Sequence, residues 1–413
     1  MTYHPIWNVP METMPWDSVR EIQEAKLKKQ LAYVCGHSEF YRRKFREHGF
    51  EPGDFKTLDD LDRIPFTVKQ ELRDSQVEAP PLGTHTAADL EKVIRIHSTS
   101  GTTGRPTYIG LTKSDIQAWM EVHSRIYWCA GFRPADRVLF GYGLSMFVGG
   151  IPIIEALQNI GCTVIPIGPR EGTDRFLSLS RDLGANALVG TPSFALYLID
   201  RVQDSVHCAP KDLGWKKMAV GGEPGGSVPS IRHHLEEVYH TDVRDSGCGG
   251  AEMIAGMWAD CEEKSGMHFV AQEYCLPELV DPDTLKPIPF RDGVEGELVY
   301  TALDRECLIV SGINVFPSAI KDVVTTHVPD VTGELRIVLT REPVGSAVNP
   351  PLTIEVEHGV NLGPEALRNL KSQLEREMRD KLLFKADIQL VAPGRLERSV
   401  HKSSYVRHAY RGE

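Results

Sequence analysis

Apolar positions along the chain change their spacing from one region to the next, and each change predicts a different element. From Val19 to Phe45, Ile22, Leu27, Leu31, Val34 and Phe45 stand among many charges, which predicts one or two amphipathic packing helices. Two short strand-like runs follow, Val93-Ile-Arg-Ile96 and Tyr108-Ile-Gly-Leu111, with a polar stretch between them. From Val138 to Leu196 apolar runs alternate with helical patterns. Val138-Leu-Phe140, Thr163-Val-Ile-Pro-Ile167 and Ala187-Leu-Val189 read as strands, while Pro152 to Leu157 and Arg175 to Leu183 read as helices. Strands separated by helices predict βαβ units and a largely parallel sheet, so the fold class is α/β. The order becomes strand-rich from Gly293 to Val299. Beyond it, Leu335-Arg-Ile-Val-Leu339 and Leu352-Thr-Ile-Glu-Val356 alternate as strands, with Asn349-Pro-Pro351 as the turn between them. Leu367, Leu370, Leu374, Met378 and Leu382 fall on one face of a long helix, which completes a small α+β unit.

Composition narrows the class. At 413 residues, 41% hydrophobic and 25% charged, the chain is long enough for two or three folded domains. It has no run of eighteen apolar residues, and Met1-Thr-Tyr-His-Pro-Ile-Trp7 lacks the layout of a signal peptide, so a cytoplasmic protein is expected. The eight cysteines form no C-x-x-C pair, which fits reduced thiols rather than disulfides. A net charge of −11 argues against nucleic acid or an anionic membrane as partner. An anionic ligand must then be held by local donors.

Such donors crowd into Ser98-Thr-Ser-Gly-Thr-Thr-Gly-Arg-Pro-Thr107, between the two strand-like runs. Glycines let the backbone approach an anion, and hydroxyls with exposed N–H groups supply the donors that phosphate oxygens take. A Walker A loop is excluded, because Gly104 is followed by Arg105-Pro106 and not by Lys-Ser/Thr opening a helix. An ordinary polar hairpin loop is the plainer alternative, but the repeated Ser/Thr-Gly steps exceed what a turn requires. A second turn, Gly221-Gly-Glu-Pro224, follows the apolar run Met218-Ala-Val220, at a strand end where α/β sheets place ligands.

With these pieces in order the chain resembles the phenylacetate–coenzyme A ligase family of the adenylate-forming superfamily. The resemblance runs nearly end to end. It rests on Ile96 to Thr107, Gly141-Tyr-Gly-Leu144 with Gly149-Gly150, Gly221 to Pro224, Glu252, Gly296-Glu-Leu-Val299, Ser311-Gly-Ile-Asn-Val-Phe-Pro317 and Arg398-Ser-Val-His-Lys402. It implies a large N-terminal domain over residues 1–307 that binds ATP and the acyl group. A small mobile α+β domain over 308–413 would follow and rotate between two half-reactions. The implied reaction activates an aromatic or arylacetic acid with ATP through an acyl-adenylate, then forms a thioester with coenzyme A. A carrier-protein thiol as acceptor, or a non-catalytic relative that only binds nucleotide or acyl-adenylate, are the alternatives.

The resemblance also assigns residues. Ser98, Thr99, Ser100, Gly101, Thr102, Thr103 and Gly104 would hold the β- and γ-phosphates, and Gly221, Gly222, Glu223 and Pro224 would line the adenine and acyl pocket. Glu252 would support Mg²⁺, a hard cation that takes oxygen ligands, with a plain surface carboxylate as the alternative. Lys402 matches the lysine that the small domain brings to the α-phosphate and the substrate carboxylate. Tyr142, Phe147, Gly149 and Gly150 would shape the acyl site, or serve only close packing. Cys261 and His268 match two of the four ligands of a structural Zn²⁺ found in some relatives, with Cys275 as a further thiol. No nucleic acid or membrane partner is implied, and a homodimer is compatible with the reading.

Three departures stand out. The family's Arg-x-Arg-x-x-Asp and Gly-Arg-x-Asp-Asp-Met strings, which carry the ribose-binding aspartate and the hinge, are absent. Instead Thr301-Ala-Leu-Asp-Arg-Glu-Cys307 runs straight into Leu308-Ile-Val-Ser-Gly312. Either this relative has lost its hinge or a mobile stretch is missing from the sequence. The second is expected, since a real deletion would join two domains with no linker. It predicts a gap between the Cys307 carbonyl carbon and the Leu308 nitrogen well beyond the roughly 1.33 Å of a peptide bond. Cys248 stands where the family tends to have an aromatic residue, which weakens adenine stacking. The loop Gly143-Leu-Ser-Met-Phe-Val-Gly149 is longer than the phenylacetate enzymes' version, which puts phenylacetate itself in doubt.

Overall fold

A computed structural model describes residues 3–99, 106–247, 249–281, 284–306, 312–313, 320, 324–339, 352–360, 362–382, 386–396 and 406–408. The chain divides into two compact units. One takes in the described residues of Met1–Thr99, Pro106–Gly168 and Ser246–Asn314, the other those of Pro169–Asp245 and Val315–Glu413.

In the first unit the early amphipathic pattern becomes two helices, Trp16–His37 and Glu39–Glu47. Ser38 separates them because its side chain accepts from the Tyr41 N–H at 3.2 Å and caps the second helix. Their apolar faces bury Leu27, Leu31, Val34, Phe40, Tyr41 and Phe45 against Phe50, Phe55, Leu276 and Leu303. Each such side chain contributes about 1.5–3 kcal/mol on full burial. The strands Arg95–Ser98 and Tyr108–Leu111 pair antiparallel, with Ser98 opposite Tyr108. The first starts two residues later than the apolar run suggested. Val93 and Ile94 precede the ladder, and Ile94 is 64% exposed.

The helix Lys113–Cys129 opens on a reciprocal cap between Thr112 and Asp115. It buries Trp119, Val122 and Ile126 against Met253, Met257 and Ala259. Strands Arg137–Phe140 and Thr163–Ile165 run parallel, with the helix Ile151–Asn159 between them in sequence, as the alternation predicted. A further sheet pairs Cys275–Val280 with Glu297–Ala302. Gly293 itself lies ahead of that strand, in a turn closed from the Val294 N–H to the Arg291 carbonyl.

In the second unit the strands Ala187–Gly190, Lys217–Val220 and Asp242–Asp245 form a parallel ladder. The helices Pro192–Val206 and Pro229–Tyr239 separate them in sequence. Further along, Leu352–His358 pairs antiparallel with Val331–Leu339 and parallel with Ala386–Val391. Leu370 and Leu374 of the helix Pro364–Leu382 close the core over Leu335, Ile337, Ile354, Val356 and Ile388. This is the small α+β unit of the sequence reading. Asn349-Pro-Pro351 and the Cys307/Leu308 junction lie outside the described residues. Among the described residues no helix is long and apolar enough to cross a membrane.

One carboxyl in the first unit gives a measurable pH effect. Burial pushes Glu278 up to about 7, helped by the nearby Asp62 charge and opposed by a hydrogen bond from the Thr301 hydroxyl at 3.5 Å. A folded-state value above the unfolded one means stability that is full below about pH 4.5 and is lost as pH rises through 7. Glu278→Gln is therefore expected to add about 2–3 kcal/mol of stability at pH 8 and nothing at pH 4. Urea unfolding at the two pH values checks this, and an equal gain at both would show that ionisation is not the cause.

Candidate active site

The stretch that the sequence marked as a phosphate cradle has two well-built feet. Beyond the strand pair, the Thr99 N–H donates to the Thr107 carbonyl at 3.0 Å, and the Thr107 N–H donates to Thr99 Oγ1 at 3.1 Å. Ser98 and Thr107 are buried, and Thr107 Oγ1 has no hydrogen-bond partner among the described residues. The two bonds between Thr99 and Thr107 continue the pairing of the strands to the base of the loop. Ser100, Gly101, Thr102, Thr103 and Gly104 lie outside the described residues.

Glu252 is 7% exposed, so the surface-carboxylate alternative falls away. Lys69 Nζ lies 2.9 Å from Glu252 Oε1. The approach is an ion pair without hydrogen-bond geometry, so Oε1 stays buried with no hydrogen bond among the described residues. A buried carboxylate oxygen with open lone pairs is the donor that a hard cation takes, and these residues fit Mg²⁺ in that respect.

Sequence reasoning missed Lys69. Lys69 is the first residue of the helix Lys69–Glu78, where the helix dipole disfavours a cation, and the Glu252 carboxylate offsets that cost. The same helix is tightly placed. Glu71 caps its start by accepting from the Val68 N–H at 2.8 Å, and the buried Lys44 holds both Glu71 oxygens at 2.6 Å. Seven residues on, Gln76 donates to the Tyr108 carbonyl at 2.6 Å and accepts from the Tyr108 N–H at 3.2 Å. At 1.5 Å per residue, about 10 Å of helix separates the group that meets Glu252 from the group that grips the strand leaving the cradle.

The loop Gly143 to Gly149 sits against the cradle's entering strand. The Met146 carbonyl accepts from the Ser98 N–H at 2.9 Å and from His97 Nδ1 at 2.9 Å. Tyr142 is buried edge-on against Phe140, with ring centroids 5.8 Å apart. Leu144, Met146 and Phe147 are 47%, 45% and 36% exposed, so the loop presents an apolar strip. Gly150 begins the helix Ile151–Asn159, and a Cβ there would stand 3.5 Å from the Gly143 carbonyl and 3.6 Å from that of Phe147. Gly149 has room for one.

In the second unit, the Gly221 N–H donates to the Gly190 carbonyl at 3.0 Å, which holds the turn Gly221 to Pro224 at the strand ends. Gly222 has φ 80°, open to glycine without strain. The Glu223 carboxylate accepts from the Ser193 N–H at 2.8 Å, so it satisfies the first turn of the helix Pro192–Val206. That contact was not legible in the sequence, and it gives Glu223 a structural duty beside any ligand. Gly226, just beyond, has no room for a side chain: a Cβ would meet Asp245 Cγ at 2.7 Å.

Cys261 follows the strand Trp258–Asp260, and His268 lies opposite Ala259 in the paired strand. Among the described residues no group of three or more His, Cys, Asp or Glu side chains could hold a metal ion, so the two remain short of a tetrahedral zinc site. Lys402 and Cys248 lie outside the described residues.

A family model described as "AMP-binding enzyme" matches residues 52–302, and one described as "AMP-binding enzyme C-terminal domain" matches residues 312–409. The chain is 31% identical to the phenylacetate-coenzyme A ligase of Thermus thermophilus, over 97% of each chain. It is 29% identical to that of Pseudomonas putida, over 96% of this chain and 95% of the other. The Thermus alignment runs over 455 positions against 413 residues here, so that relative carries segments this chain lacks. Among solved structures, 2-hydroxyisobutyryl-CoA ligase in the postadenylation state with 2-HIB-AMP superposes with a TM-score of 0.79 at 27% identity. The match covers 100% of this chain and 94% of that one. The same ligase in the thioesterification state, with 2-HIB-AMP and CoA, gives a TM-score of 0.70 at 29% identity, over 98% and 92%.

Proposed function

The chain belongs to the AMP-binding enzyme family, and from that premise we infer an AMP-forming acid–CoA ligase that acts on an aromatic or arylacetic acid. ATP and coenzyme A are its substrates. The acid's carboxylate attacks the α-phosphorus of ATP, pyrophosphate leaves, and the acyl-adenylate is then taken by the coenzyme A thiol with release of AMP.

The observation that carries the reading is the buried Oε1 of Glu252, which pairs with Lys69 but has no hydrogen bond among the described residues, held in the same unit as the zipped feet of the Ser98 to Thr107 stretch. Phosphoryl chemistry is mostly positioning and charge stabilisation, and these are positioning devices. Mg²⁺ on Glu252 would offset charge on the triphosphate. Thr99 and the glycines and hydroxyls that follow it would hold the β- and γ-phosphates. Gly221 to Pro224 would border the adenine and acyl groups, with Tyr142, Phe147, Gly149 and Gly150 on the acyl side. Lys402 would meet the α-phosphate. The division into 1–307 and 308–413 is supported by family matches that leave only residues 303–311 between them. So short a connection also favours a hinge stretch that this sequence lacks. Zinc is not part of the reading.

The acid is the open choice. Phenylacetate ligases favour an aryl acid, while the likeness to 2-hydroxyisobutyryl-CoA ligase favours a small branched hydroxy acid. The exposed strip Leu144, Met146 and Phe147 is apolar, which argues for the aryl acid. The test is AMP formation from ATP across benzoic, phenylacetic, indoleacetic, 2-hydroxyisobutyric and short aliphatic acids, with and without coenzyme A. Turnover with an aromatic acid that stops without coenzyme A is expected. Turnover with 2-hydroxyisobutyrate alone would reassign the acid. Nucleotide binding with no turnover on any acid would mark a non-catalytic relative.

A further inference from the structure

One carbonyl in this molecule does two jobs. The Met146 oxygen accepts from the Ser98 N–H and from His97 Nδ1, both at 2.9 Å. Met146 belongs to the loop that presents the apolar strip, and Ser98 opens the cradle. A carbonyl only accepts, so the imidazole carries its proton on Nδ1, and Nε2 is left as a buried atom with no hydrogen-bond partner among the described residues. The bond to Met146 is thus the ring's hydrogen bond.

The ring has little freedom to do anything else. His97 is 1% exposed and stacks on Trp119 at 5.8 Å with an interplanar angle of 17°. Trp119 is itself 1% exposed, and the Arg305 guanidinium lies 5.4 Å over its ring. Arg305 is fixed by Asp115 at 3.5 Å and by Gln30, which donates to the Arg305 carbonyl at 2.7 Å. Burial, with smaller help from the Arg95 and Arg305 charges, lowers the imidazole's affinity for a second proton against the opposing pull of the Met146 carbonyl and Glu155.

We propose that His97 is a positioning residue that locks the Gly143 to Gly149 loop to the strand entering the phosphate loop, so that a bound acid and a bound nucleotide strengthen each other. An acid that settles the loop holds the Met146 carbonyl, and that carbonyl holds the Ser98 N–H at the start of the phosphate grip. Coupling of this kind is reciprocal and is worth about 5-fold or more in affinity. The proposal rests on the ligase reading given above.

The test uses the whole chain and α,β-methylene-ATP, which binds but cannot be cleaved at the reacting bond. Its Kd is measured by calorimetry with and without the acid identified in the turnover panel. The wild type is expected to bind the analogue about 5-fold or more tightly when the acid is present. Two variants separate positioning from packing. In His97→Asn the side-chain amide nitrogen takes the place of Nδ1, and in His97→Gln it takes the place of Nε2. Both lose the stack on Trp119 and should lose similar melting temperature. His97→Asn is expected to keep most of the coupling and His97→Gln to lose it, with KM for the acid rising and kcat at saturation little changed. Coupling that is lost equally in both variants, or kept in both, overturns the proposal. A wild type that binds the analogue without any effect of the acid overturns it as well. A wild type that binds no nucleotide overturns the ligase reading and this proposal with it.

Discussion

Lys402→Ala is expected to bind ATP and the acid normally and to form acyl-adenylate about 100- to 1000-fold more slowly than the wild type. As the carboxylate attacks, negative charge gathers on the α-phosphate oxygens, and a lysine ammonium is a compact point charge with three donors on a flexible stem. The chain's net charge of −11 supplies no general positive field that could replace it. Acid-dependent pyrophosphate release measures the first step, and thioester formation from added acyl-adenylate measures the second. The second step should change by only a few-fold, because the phosphate it expels as AMP already carries its charge. A loss of less than about 3-fold in the first step would take Lys402 out of the chemistry, and an equal loss in both would point to a damaged C-terminal domain.

The second large effect is expected at Glu252. Glu252→Gln keeps the shape and removes the charge, so adenylation should fall about 100-fold, close to 3 kcal/mol of transition-state stabilisation. The Mg²⁺ concentration for half-maximal rate should rise with it. Stability should move by less than about 1 kcal/mol, since the Lys69 side chain that loses its partner is 30% exposed and can be hydrated. A Mg²⁺ titration of pyrophosphate release beside a thermal melt reads all three quantities. An unchanged Mg²⁺ midpoint with a large loss of stability would make the carboxylate a packing element.

Much of this fold could be read before any coordinates. The strand Tyr108–Leu111, the helices around Leu27 and Leu157, and the alternation through Ala187 follow from the apolar pattern, because the helices bury one face and the strands bury nearly every residue. What escaped was decided by long-range partners. Lys69 and Glu252 are far apart in sequence, and nothing local to either says that they meet. The Glu223 carboxylate reads as a ligand-facing group until the helix Pro192–Val206 puts the Ser193 N–H beside it. Arg95–Ser98 is displaced from the apolar run Val93 to Ile96 because hydrogen-bond register, not side-chain hydropathy, sets where a ladder starts. The Cys261 and His268 pair has suggestive spacing, and among the described residues no further ligand joins it.

The helix Lys69–Glu78 is engaged at both ends, by Glu252 through Lys69 and by Tyr108 through Gln76. A helix tied at two points behaves as a gauge block. Adding one residue between the ties turns the far end by about 100° and advances it by about 1.5 Å, so both ties cannot be kept. Length here is therefore a fixed quantity in a way that composition is not. Related chains can vary the exposed faces of these ten residues freely, but an insertion or deletion among them would have to be matched by one elsewhere in the same unit.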